Sequence, residues 1–425
     1  MPLAVFGVAV VARLAFQSLD IPTEIPLDSD EYRRLASELL AGHGYVSETG
    51  VPTSMRPPFY PLFLAVLYAV FGPVDGPVRI VQAILDAGTC TLATLLARRY
   101  FGERAAWLTG ALTVFSWGLL SATKLVLTET LLTFLIVASV WMLDQAIERG
   151  RLAWFASVGV LSGLATLTKG TGLALVSAQL MAVAAAGRRT DGMGRLWSGA
   201  ALAAAFALVL VPWTWRNYQV HGELIPGATQ VGIIVYSSYL PPQGKIFGVH
   251  TEDAFTARAQ RLPEAEASRA LTQEGLRHAL ANPGELPRLV LLKVLYAASP
   301  FDWELLGGDG WYNFTYAFAV PFAVAGLWLA RRNGRVLALL AAPAVTALAL
   351  MLLLYGSPRL RLSVEPLLLV FGGYGLAVAT GVEASRPAAT RALVAAFLLI
   401  NVAAALYGEQ VRRISAGALA ALGVW

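Results

Sequence analysis

Eleven apolar runs, each close to the roughly 20 residues that a helix needs to cross a bilayer, dominate this chain. They lie at 2–19, 79–99, 106–122, 130–147, 152–168, 171–187, 196–215, 311–330, 336–355, 363–380 and 391–408. Of the 425 residues, 57% are hydrophobic and 14% charged, whereas a soluble domain carries about 25% charged residues. The pattern therefore predicts an all-α polytopic membrane protein with about 11 transmembrane helices. The first run has no basic leader and no small-residue cleavage pattern before Asp20, so it reads as a retained helix rather than a signal peptide. Arg13 inside it is expected to face protein or water, because a charge facing lipid is costly.

A twelfth run, Phe59 to Phe71, is shorter and is introduced by Pro57, Pro58 and Pro61. Runs of this length are more often interfacial than spanning. The arginines decide how to count it. If 59–71 does not span, then Arg98/Arg99/Arg104, Arg149/Arg151, Arg188/Arg189/Arg195, Arg331/Arg332/Arg335 and Arg386/Arg391 all fall on one side. By the positive-inside rule that side is the cytoplasm. The opposite, outward side then receives the acidic, proline-rich first loop 20–78, the short segments 123–129, 168–171 and 356–362, and the long polar segment 216–310. Within that segment, about Thr251 to Ala281 is expected to be an amphipathic helical portion lying on the outer surface. Three parts follow: a catalytic transmembrane module over 1–215, an extracytoplasmic loop subdomain over 216–310 and C-terminal transmembrane helices over 311–425.

Several function classes drop out. The net charge of +5 comes from 32 basic residues of which four are lysines, and the arginines sit in short loops between apolar runs, so they set topology and do not form a nucleic-acid-binding face. The single cysteine, Cys90, cannot make an intrachain disulfide and lies in an apolar run. Four histidines without an HExxH pattern or a His/Cys cluster leave a metal hydrolase unsupported. No GxxxxGK[ST] or other Gly-rich phosphate loop is present, which disfavours ATP or a nucleotide sugar as substrate. No internal repeat speaks for the inverted halves of a secondary transporter.

What remains is a set of charged groups beside helix ends on the outward side: Asp28, Asp30, Arg56, Lys124, Glu129, Lys169, Arg216, Arg359 and Arg361. Each has a plain structural reading: Arg216 and Arg359 as interface anchors, Glu129 as a helix-end acid. Lys169 is harder to explain that way, since no lysine or arginine neighbours it between two apolar runs. Together, acids and cations on one face suit transfer of a sugar from a phosphate leaving group. A carboxylate takes the acceptor's proton as its oxygen attacks the anomeric carbon. Cations neutralise the charge that develops on the phosphate, arginine bidentately and lysine as a point charge. With no nucleotide site, the donor is expected to be a lipid already in the membrane.

At these residues the chain resembles the GT-C superfamily of polyprenyl-phosphate-sugar-dependent glycosyltransferases, and within it the protein O-mannosyltransferase and aminoarabinose transferase group. The resemblance covers about residues 1–380. A D-x-x-x-Y pattern, then a helix and a Gly-rich turn, is matched by Asp28–Tyr32 and Gly42–Gly44. The element RPP-x-YP-x-F is Arg56–Phe63, and T-[ED]-x-L-x-T-F is Thr128–Phe134. The TKG element is Thr168–Gly170, PW-x-x-RN-Y is Pro212–Tyr218, and R-x-R-x-x-x-x-P is Arg359–Pro366. No one of these is specific alone; six in order on the outward face make the match.

The resemblance implies a GT-C fold with interfacial helices in the first outer loop, and an inverting transferase at the plasma (inner) membrane with its active site outside. It implies Asp28 as the catalytic base, with Asp30 as rival, and Glu129 as a second acid. Arg56, Lys169, Arg216, Arg359 and Arg361 would bind the donor phosphate, while Tyr32 and Tyr60 would line the site. Some relatives hold a metal through a glutamate beside the Arg56 position; here that residue is Met55, so no such metal, and no cofactor beyond the donor lipid, is expected. After residue 408 only a short tail remains, which leaves 216–310 to recognise a glycan, lipid or protein acceptor. The competing readings are a lipid-linked sugar flippase and a glycan polymerase or ligase using a lipid diphosphate.

Overall fold

A computed structural model describes residues 1–20, 27–185, 192–240, 253–302, 311–354 and 356–381. Apart from a two-residue antiparallel ladder that pairs Phe301–Asp302 with Trp311–Tyr312, its regular structure is helical. The N-terminal helices are α1 (Pro2–Ser18), α2 (Leu27–Leu40), α3 (Phe59–Phe71), α4 (Asp75–Val114), α5 (Trp117–Lys124), α6 (Thr128–Arg149), α7 (Leu152–Thr168), α8 (Leu173–Ala185) and α9 (Gly192–His221). Residues 216–310 contribute α10 (Val231–Tyr239), α11 (Ala254–Ala259), α12 (Glu264–Ala281) and α13 (Leu286–Ala298), and the C-terminal part α14 (Phe314–Ala330), α15 (Gly334–Val336), α16 (Ala342–Leu354), α17 (Pro358–Arg361) and α18 (Glu365–Ala379).

Three of these, α4, α6 and α9, are long and apolar enough to cross a membrane, and several shorter apolar helices accompany them; a count of eleven spans is not established. The expected spans 79–99 and 106–122 merge into α4, which is broken by Gly102 (φ 86°, ψ 179°) and ends at Val114 rather than running to 122. Ser116 stops it: its hydroxyl donates to Glu365 (2.7 Å) and accepts from the Leu119 amide (3.4 Å), so α5 starts as a separate, buried helix. The span expected at 391–408 lies outside the described residues, as do Arg188, Arg189, Arg386 and Arg391. The helical portion expected at about 251–281 consists of two helices, parted before Pro263, which has no amide hydrogen to continue the first.

Close packing follows from small residues. At Gly159 of α7 an added Cβ would sit 2.2 Å from the Leu202 carbonyl of α9, so the two backbones touch there. Arg13 is fully buried against α4, donating to Asp86 (2.6 Å) and to the Val114 carbonyl (2.6 Å). It faces protein, as the cost of a lipid-facing charge requires.

Helix α6 separates two charged poles. At its C-terminal end Asp144 and Glu148 gather Arg99 and Arg335, joining α4, α6 and α15 at residues expected on one side of the bilayer. At its N-terminal end stands Glu129, 15 residues before Asp144 and 19 before Glu148, and so about 22 to 28 Å away along the axis. Between α1 and α4, α2 packs on α3, the latter 13 residues long.

Candidate active site

Four separate stretches converge around Glu129. Helix α2 begins at Leu27, so Asp28, Glu31 and Tyr32 lie on one face at i, i+3 and i+4. The loop before α3 delivers Arg56, whose carbonyl and that of Pro57 are gripped by the Tyr45 hydroxyl at 3.0 and 3.2 Å. Helix α7 breaks at Lys169, which is extended (φ −154°, ψ 131°) before a single 3₁₀ turn, Gly170–Gly172, leads into α8. The short helix α17 starts with Pro358 after Ser357, whose hydroxyl caps the Arg359 amide at 3.1 Å.

The side chains form one continuous chain of ion pairs. Arg56 donates from Nε to Glu31 (2.6 Å), from Nη2 to Asp28 (2.7 Å) and from Nη1 to the side-chain oxygen of Gln230 (2.8 Å). The other Asp28 oxygen accepts from Arg359 Nη1 (2.9 Å), and Arg359 Nε donates to Glu129 Oε1 (2.7 Å). Lys169 Nζ reaches the same Glu129 oxygen at 2.9 Å. Beneath Arg56 lies the ring of Tyr32, its centroid 5.5 Å from the guanidinium carbon, and Tyr32 rests edge-on against Tyr60. Three cations thus face three carboxylates at a partly open cleft: the Asp28 side chain is 27% exposed, that of Lys169 20% and that of Glu129 2%.

Burial by itself would push the Asp28 carboxyl up, but the guanidinium groups of Arg359 and Arg56 outweigh it and hold it well below the usual carboxylate range. For Arg56, burial disfavours the charge, and Tyr32, Asp28 and Glu31 more than restore it. Glu129 gains further support from its place in the first turn of α6, where the helix dipole favours an anion. In the resting protein the cluster holds its charges by pairing them with one another.

Of the residues singled out in the sequence, Asp28, Arg56, Glu129, Lys169 and Arg359 meet here, with Tyr32 beneath them. Asp30 does not: it points away to Arg33 at 2.8 Å and is 67% exposed. Arg216 is spent on the loop that carries Arg56, donating to the carbonyls of Thr53 (2.7 Å) and Tyr45 (2.8 Å). Arg361 donates to the carbonyls of Ala297 (2.6 Å) and Ser299 (2.9 Å) and covers the Tyr316 ring. Tyr60 is fully buried with its hydroxyl on Gln82 (2.9 Å), a support for Tyr32 rather than a lining residue. Lys124 caps the carbonyl of Leu19 at the end of α1. Glu31 and Gln230 were not among the expected site residues. Helical spacing from Asp28 would have found Glu31; nothing local marks Gln230.

Comparison with known proteins bears on the same region. Residues 55–215 match the family model described as dolichyl-phosphate-mannose-protein mannosyltransferase. Undecaprenyl phosphate-alpha-4-amino-4-deoxy-L-arabinose arabinosyl transferase of Pseudomonas savastanoi pv. phaseolicola is 30% identical over 174 residues, 40% of this chain and 32% of that protein. The corresponding transferase 2 of Pseudomonas fluorescens is 29% identical over 175 residues, 40% of this chain and 29% of its own length. The chain thus spans about a third of the length of the curated relatives it matches. Among solved structures, the oligosaccharyltransferase of Archaeoglobus fulgidus in complex with Zn and sulfate superposes with a TM-score of 0.53 at 14% identity, over 94% of this chain and 53% of that one. The likeness is one of fold. The chain is thus similar over 55–215 to the mannosyltransferase family model, and it shares its fold with the archaeal oligosaccharyltransferase.

Proposed function

We propose that the protein is an inverting glycosyltransferase of the plasma (inner) membrane that moves a sugar from a polyprenyl-phosphate donor to an acceptor hydroxyl on the extracytoplasmic face. The observation that carries this reading is the cluster of Arg56, Lys169 and Arg359 around Asp28 and Glu129, at the pole of α6 opposite the arginine-rich end. The family match over the segment that holds Arg56, Glu129 and Lys169 supports it.

In the reaction the acceptor oxygen attacks the anomeric carbon from the face opposite the phosphate. The carbon–oxygen bond to phosphate breaks, its electron pair leaves with the phosphate, and the acceptor proton passes to Asp28. Arg56, Arg359 and Lys169 take up the growing phosphate charge. The donors that Asp28 now occupies on Arg56 and Arg359 are among those a phosphate would claim, so the donor competes with Asp28 for the same cations. Glu129 keeps Arg359 and Lys169 aimed into the cleft from a fixed helix end. The reading needs no divalent ion: both oxygens of Asp28 and one of Glu129 already accept from guanidinium or ammonium groups, with which a metal would compete.

The test is a purified preparation offered a panel of polyprenyl-phosphate and polyprenyl-diphosphate sugars with membrane extract as acceptor, products being read by mass spectrometry. Transfer from a monophosphate donor, lost in Asp28→Asn and weakened through a raised donor KM in Lys169→Ala, is the expected result. Full transfer in Asp28→Asn moves the base elsewhere. Translocation without a new glycosidic bond, or use of diphosphate donors alone, overturns the reading.

A further inference from the structure

Glu264 opens helix α12 in the outer segment, more than 200 residues from Arg56, yet it holds both flanks of the Arg56 guanidinium. Its Oε2 accepts from the Thr53 hydroxyl (2.7 Å) and its Oε1 from the Ser54 amide (2.7 Å), in the loop that ends at Arg56. The same Oε1 accepts from the Thr229 hydroxyl (2.6 Å), next to Gln230, whose side-chain oxygen receives Arg56 Nη1. The two strands of chain are also tied directly, the Thr229 amide donating to the Ser54 carbonyl at 2.9 Å. Ser268, one turn further along α12, donates to the Thr229 carbonyl at 2.6 Å. Close by, an added Cβ at Gly232 of α10 would lie 2.4 Å from the Ser268 carbonyl, so α12 has no room to shift against this segment.

We infer that Glu264 is a positioning residue for the donor phosphate: acting through Thr53–Ser54 and Thr229–Gln230, it fixes where the Arg56 guanidinium stands. The carboxylate touches no cation of the cluster and stays outside the cleft. What it supplies is a clamp: three charge-assisted hydrogen bonds that hold the loop and the helix lead-in together alongside the direct Thr229–Ser54 bond. The outer segment thereby takes part in donor binding as well as in whatever acceptor contacts it makes. The inference rests on the proposed use of a polyprenyl-phosphate donor.

The experiment is a double-mutant cycle on binding of undecaprenyl phosphate to the detergent-purified full chain, with wild type, Glu264→Ala, Arg56→Ala and the double variant compared. Glu264→Ala is expected to weaken binding about tenfold and to raise the donor KM while kcat changes less than about threefold. In the Arg56→Ala background it should add nothing, because a residue acting through Arg56 has no effect once Arg56 is gone. Glu264→Gln, which keeps an acceptor oxygen, should recover most of the affinity. An equal loss in both backgrounds, or unchanged affinity in Glu264→Ala, overturns the inference. If Glu264→Ala does not fold, Thr229→Val, which removes one of the three bonds, replaces it and must show a smaller loss with the same dependence on Arg56. Absence of any binding by the wild type would instead count against the donor reading itself.

Discussion

Removing the proposed base should make the protein bind lipid phosphate more tightly. Asp28 accepts from Arg56 at 2.7 Å and from Arg359 at 2.9 Å, and these are the donors a phosphate would claim. Two anions held by one guanidinium stand about 6 Å apart, so their repulsion is about 2.8 kcal/mol at an effective dielectric of 20 and about 0.7 kcal/mol in bulk water. Asp28 is partly exposed, which places the effect between those limits. Asp28→Asn should therefore lower the Kd for undecaprenyl phosphate between about threefold and a hundredfold, centred near tenfold, while transfer is lost. The assay is equilibrium binding to the purified protein at neutral pH in low and moderate salt, with the thermal midpoint measured alongside. Asp30→Asn is the control: it removes the same charge two residues away, but from a carboxylate that is 67% exposed and paired to Arg33, so the Kd should stay within about twofold after solvent screening. A Kd unchanged or raised in a folded Asp28→Asn protein would refute the idea that acid and phosphate compete for the same cations.

Two further outcomes follow from the same geometry. In the free protein the guanidinium groups overcome burial and keep Asp28 below the ordinary carboxylate range; when the donor draws Arg56 and Arg359 away, that depression shrinks. Because kcat reports the bound state and kcat/KM the free one, the acid limb of kcat should lie at higher pH than that of kcat/KM, and coincident limbs would count against the exchange of partners. For stability, Gly159→Ala should cost about 1–3 kcal/mol through overpacking, since its Cβ would fall 2.2 Å from the Leu202 carbonyl. Gly7→Ala, where the space is open, should cost nothing, and comparison of the two unfolding midpoints checks it.

Much of the site was readable because charged residues stand out at the ends of apolar runs. Asp28 and Asp30 illustrate where that reading stops. Two residues along a helix is about 200° of rotation, so the two acids must face nearly opposite ways, yet nothing in α2 says which face turns inward. The packing of α2 on α3, with Arg56 and Arg359 brought alongside, puts Asp28 in the cluster and leaves Asp30 on the surface. The arginines pose a related difficulty. Arg56, Arg216, Arg359 and Arg361 all stand near helix ends, but a guanidinium has five donors and its partners can be carboxylates or backbone carbonyls. Arg216 and Arg361 meet carbonyls of neighbouring loops, a matter of chain path that residue type does not encode.

Taken by itself, the sequence determined the apolar helical architecture, the inward direction of Arg13 and a short roster of charges beside helix ends. These follow from hydrophobic length and from the cost of charge in lipid, both of which are local properties of the chain. Only the tertiary structure decided which of those charges meet, that Glu31 and Gln230 join them, and that Glu264 anchors the loop from a segment far along the chain. Contacts between residues separated by more than 170 or 330 positions, as for Arg56 with Gln230 and Asp28 with Arg359, leave no periodic trace in the sequence, because they depend on how whole helices pack.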